Sequence, residues 1–180
     1  MNQKVENAIG FFSKRYYEDT SKYLSQTFLY KLLAFLDHIS LKETGIPSLR
    51  LKYNALERGP VPLEIYNEIN SNKNYSCFII EEIKTENFQG KFIVPTKDAD
   101  LDYFNQYELN LMRKLIQIYA KEYVTSNDIS EKSHESINSW IKAYSREKNS
   151  LMSYDDEFES LNSIPDQANV YLIFKELAGL

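Results

Sequence analysis

The 180-residue chain holds one cysteine, Cys77, and two histidines, His38 and His134. A lone cysteine excludes an internal disulfide and fits a reducing compartment such as the cytosol. One thiol and two scattered imidazoles do not supply the three or four ligands of a zinc site. Glycine is scarce, five in all. No P-loop, G-x-G-x-x-G turn or G-x-S-x-G elbow occurs, so phosphate cradles and a serine nucleophile lack their scaffolds. Positive charge is in deficit: the net charge is −5 and the pI near 5.2, the reverse of the basic footprint that a phosphate-backbone binder needs. No apolar run approaches the roughly 20 residues of a spanning helix. The N-terminal stretch scatters charges among its apolar residues and lacks the core of a signal peptide. The expectation is a cytoplasmic protein without cofactor or metal, with no nucleic-acid partner and no membrane association.

What is present suits one globular domain. Hydrophobic residues make up 43% and charged residues 26%, ordinary values for such a chain, and the length is enough to bury a core. Tyrosine is abundant, 14 beside 10 phenylalanines, so aromatic rings carry much of the packing and part of any recognition.

Periodicity orders the elements. Residues 4–17 read as a first helix interrupted at Gly10. Ser25 caps a strong core helix with Phe28, Leu29, Leu32, Leu33, Phe35, Leu36 and Ile39 at helical spacing, stopped at Gly45. Leu49, Leu51 and Tyr53 alternate, which allows a short strand. "GPVP", residues 59–62, is a rigid elbow; Pro62 suits the first position of a helix running on through Leu63, Ile65, Tyr66 and Ile69. "YSCFIIEEI" and "GKFIVPT" predict a two-stranded antiparallel hairpin over 75–96. Asn105 and Glu108 start a second core helix as a capping box. Residues 125–144 read as two short helices parted around a loop-like stretch at His134. Residues 150–180 form an acidic segment and a terminal helix, expected to pack through Val170, Ile173, Phe174 and Leu177. The fold class is α+β and mostly helical: a single compact domain over 1–149, with the hairpin at its side and the segment 150–180 appended.

No constellation points to catalysis, and no enzymatic activity is expected. His38 reads as a surface or half-buried helix residue and Cys77 as a small buried hydrophobe in a strand. The runs Glu81-Glu82, Asp98/Asp100/Asp102 and Asp155-Asp156-Glu157 read as solvated faces or loops; the second lacks the glycine and distal glutamate of a calcium loop. A carboxylate-based hydrolase therefore has nothing to build on. A winged-helix-like regulator would need a basic recognition helix, and the helix at 105–123 instead sets Arg113, Lys114 and Lys121 against Glu108 and Glu122.

The order of three segments is more specific than any one of them. "KLLAF" at Lys31–Phe35, "GPVP" at Gly59–Pro62, and His134 followed by Trp140 resemble the Panacea antitoxin domain, also called SocA-like or GepA-like. The resemblance covers residues 20–146. Arg58 stands where many members have an aromatic residue, and the spacing from His134 to Trp140 is longer than usual. The resemblance implies an antitoxin that binds and neutralises a protein toxin encoded beside it. It also implies, as an alternative, an adaptor that delivers the toxin to a protease. Some members carry a separate DNA-binding domain, for which no room is expected before residue 20. The residues that the resemblance and the rigid elbow together single out for partner binding are Tyr53, Arg58, Gly59, Pro60, Val61, His134 and Trp140.

Overall fold

The computed structural model describes residues 1–71, 74–86, 89–158 and 165–178. Helix α1 (Gln3–Thr20) is capped by the Asn2 side chain, which accepts from Val5 N–H. It runs through Gly10 without the expected interruption. The glycine is there for a close approach: a Cβ at position 10 would lie 2.2 Å from Cys77 Sγ. Cys77 itself is buried, as expected, but sits in a bend just before a strand. Strand β1 (Leu24–Ser25) leads into α2 (Gln26–Thr44), with the Ser25 hydroxyl accepting from Phe28 N–H and Gly45 closing the helix at φ +79°. Helix α2 is buried almost all round, the mark of a helix at the centre of a domain. Helix α4 (Gln106–Tyr119) packs on it through Leu111, Met112, Leu115 and Ile116 behind the expected Asn105/Glu108 capping box; Arg113 and Lys114 face solvent.

Two sheets flank this core. Strands β4 (Phe78–Lys84) and β5 (Gln89–Pro95) form the expected hairpin, with Phe78 opposite Pro95 and Ile80 opposite Ile93. Strand β1 joins its β5 edge, making three strands in the order β1-β5-β4. The second sheet was not expected. Strand β2 (Asn54–Leu56) pairs antiparallel with β3 (Gly59–Val61), Leu56 opposite Gly59. Most of the elbow is therefore strand. Helix α3 (Leu63–Ser71) begins only after Pro62, whose carbonyl accepts from Tyr66 N–H. The alternation of Leu49, Leu51 and Tyr53 does place all three inside, but they build no ladder. The N–H groups of Leu49 and Leu51 go to the Asp37 carboxylate instead.

Helices α5 (Ser126–Ser136) and α6 (Asn138–Arg146) meet at Ile137, so His134 lies in the last turn of α5 rather than in a loop. Helix α7 (Asp166–Ala178) docks against α2, but on a different face from the one expected. Its buried residues are Ala168 and Tyr171, with Phe174 half-buried beneath Arg50. Ile173 and Leu177 are 60% and 84% exposed, and Val170 touches Gly45 while remaining 40% exposed. Among the described residues, no helix is long and apolar enough to cross a membrane.

Candidate functional site

The three motif segments, far apart in sequence, meet at the β2–β3 hairpin. Its turn is two residues, Glu57 and Arg58, both exposed. Gly59 follows at φ +95°, a conformation that side-chain-bearing residues rarely adopt. Space forbids a side chain there as well, since a Cβ would stand 2.5 Å from Ser133 Oγ and 2.9 Å from Lys31 Cε. Lys31, from the KLLAF segment of α2, is fully buried and donates from Nζ to the Pro60 carbonyl at 2.9 Å. Loss of hydration pushes its ammonium pKa down to about 7. Trp140, from α6, donates its indole N–H to the Leu56 carbonyl at 3.0 Å. The His134 ring stacks on Trp140 with centroids 3.9 Å apart, and Tyr144 stacks at 4.8 Å. Burial, then the neighbouring Lys31, lowers the His134 pKa below its ordinary 6.5.

The outer edge of β2 is held from the other side of the chain. Ala55 N–H donates to Ser150, Asn149 N–H to Ala55, and Met152 N–H to the Tyr53 carbonyl. Each strand of the hairpin is thus tied by bonds that do not depend on solvent. Of the residues singled out from sequence, Gly59, Pro60, Val61, Trp140 and Tyr53 are buried, His134 is half-buried, and Arg58 projects outward. Arg58 has no ion pair among the described residues.

A second polar centre escaped the sequence reading. Asp37, wholly buried, accepts from the backbone N–H groups of Leu49, Arg50 and Leu51 and from the hydroxyls of Tyr53 (2.9 Å) and Tyr154 (3.2 Å). Burial raises its carboxyl pKa, and the donors Leu49, Leu51 and Tyr53, with the charge of His38, offset part of that rise. Next to it His38 is 1% exposed, with Nδ1 3.0 Å from Glu157 Oε1. His38 is therefore neither a surface nor a half-buried residue. The acidic run 155–157 is no solvated face either, because Asp156 and Glu157 are buried. Burial alone would raise the Glu157 pKa; the hydrogen bond and charge of His38, Ser139 N–H and Lys42 bring it down to about 2. The one sequence signal was an Asp-His pair inside an otherwise apolar helix, because buried polar groups require partners. Beside this centre opens a pocket of about 380 Å³ between residues 50–53, the segment 151–155 and α7.

A family model described as Antitoxin SocA-like, Panacea domain, matches residues 29–141, more than half of the chain. The match takes in Lys31, the β2–β3 hairpin, His134 and Trp140, and stops short of the segment that carries Glu157 and α7. No curated protein and no solved structure matches the chain.

Proposed function

The chain belongs to the SocA-like Panacea antitoxin family, and from that membership we propose that it neutralises a protein toxin by binding it directly in the cytoplasm. The β2–β3 turn forms part of the contact surface, and the protein performs no catalysis of its own. One observation carries this reading. Arg58 is exposed and without an ion pair among the described residues, on a two-residue turn whose strands are fixed by Lys31, Trp140 and Ser150. A side chain presented from so rigid a base loses little entropy on binding, and arginine is among the residues that dominate interface energies. The net charge of −5 suits a basic partner, which it would steer into encounter. Behind the turn, Gly59, Pro60, Val61, His134 and Trp140 support the surface, and Tyr53 anchors the start of β2.

Co-expression with the toxin encoded beside it tests the reading. Arg58→Ala should melt like the parent, since such surface changes shift stability by no more than about 0.5 kcal/mol. Its affinity for the toxin should fall by about 2 kcal/mol or more, as for a truncated interface anchor. An Arg58→Ala chain that melts normally and rescues growth as well as the parent would overturn the assignment of the turn.

A further inference from the structure

The pocket between residues 50–53, the segment 151–155 and α7 lies apart from the hairpin and is largely built by residues outside the family match. Its volume of about 380 Å³ falls within the range of small-molecule sites. The walls are apolar and aromatic: Leu51, Tyr53, Met152, Tyr154 and Tyr171. Three cations line it, Arg50, Lys52 and Lys175. Lys175 is paired with Asp155, whereas Arg50 and Lys52 have no ion pair among the described residues. In a chain of net charge −5, this is a local excess of positive charge at the mouth of a cavity. Arg50 also holds its backbone at φ +59°, an uncommon conformation of the kind that collects at ligand sites.

His38 also borders the pocket. Its Nδ1 is turned to Glu157, and Nε2 is buried with no hydrogen-bond partner among the described residues. A buried ring nitrogen left without a partner is costly, and this one belongs to a ring on the cavity wall. We propose that the pocket is a binding site for a small aromatic anion. Its ring lies against the tyrosine wall, and its anionic group meets Arg50 and Lys52. This site is independent of toxin contact at Arg58.

The full chain is titrated with 4-hydroxyphenylacetate, AMP and the uncharged 4-hydroxyphenylacetamide by calorimetry and ligand-observed NMR. Both anions should bind with Kd of about 1 mM or tighter, and the amide about tenfold more weakly than its acid. Lys52→Glu, a change at an exposed position, should weaken both anions about tenfold. Met152→Trp should fill the cavity and abolish binding. If that variant fails to fold, the comparison of acid with amide and the Lys52→Glu titration decide the matter. Failure of both anions to bind, equal binding of the amide, or full affinity in Lys52→Glu overturns the proposal.

Discussion

Lys31 offers a direct test of how the hairpin is held. Its ammonium group is fully buried, with one hydrogen bond, to the Pro60 carbonyl. Burial lowers its pKa from the ordinary 10.5 to about 7. Between those two values the unfolded chain keeps a proton that the folded chain has released. Unfolding in this window therefore takes up a proton, and stability rises with pH by up to about 1.4 kcal/mol per unit. Below pH 7 both states are protonated and the dependence disappears. Lys31→Met preserves the length of the side chain, removes the titration and leaves the Pro60 carbonyl without its donor. Cys77, whose thiol pKa is raised by burial, titrates with the opposite sign in the same region, but does so in both chains and cancels in the difference. Urea unfolding followed by fluorescence of Trp140 at pH 7.5 and pH 9 should show the parent gaining on the variant by about 2 kcal/mol across that interval. A gap that stays constant or narrows as the pH rises would refute the reasoning, because Lys31 would then keep its charge inside the fold.

Gly59→Val should lower melting temperature and toxin neutralisation together, by about 3 kcal/mol or more in stability, since it combines a disfavoured φ with overlap at Ser133 and Lys31. Glu157→Gln bears on acid stability. The depressed pKa of Glu157 contributes stability above its ordinary 4.5 that is lost as pH falls toward about 2, so an acid titration by circular dichroism should be flatter in the variant over that window. Truncation after Ser150 removes Tyr154 from Asp37 and Glu157 from His38. It should cost about 3 kcal/mol or more in a denaturant melt, the usual penalty for breaking buried charged pairs; an unchanged midpoint would contradict it.

The features legible in the sequence were those written in local chemistry. The Ser25 cap, the Gly45 stop and the Asn105/Glu108 box each act within four residues, and each sits where its pattern placed it. The hairpin over 75–96 was readable for the same reason, two branched and aromatic runs a short turn apart. Local signals misled where a distant residue decided the outcome. Gly10 looks like a helix breaker until Cys77 is brought against it. The prolines of GPVP do mark a helix start, at Leu63, but not the strand pair ahead of it, whose carbonyls Lys31 and Trp140 hold. The apolar residues of α7 gave no means of choosing a face, because the helix is apolar on more sides than it buries. At the hairpin, the shared order of three motifs located the right region, but not which members face solvent. The pairing of His38 with Glu157, and of Asp37 with Tyr154, was missed because it joins residues more than a hundred positions apart, and no period records that; the other donors to Asp37 come from an irregular segment at 49–53, which has no period either.

That separation also puts a clock on the molecule. Asp37 and Tyr154 are 117 residues apart, so a ribosome adding about 5–20 residues per second needs roughly 6–23 s to deliver the second after the first. For that interval Asp37 has its donors from 49–53 but not Tyr154, His38 lacks Glu157, and the carbonyls of Leu51 and Tyr53 lack the bonds that Tyr154 and Met152 bring. A nascent chain at this stage offers proteases a target that the finished one withdraws. The moment at which the protein becomes durable is set by the arrival of Tyr154 and Glu157, and the hairpin that bears Arg58 waits almost as long, for Trp140 and Ser150.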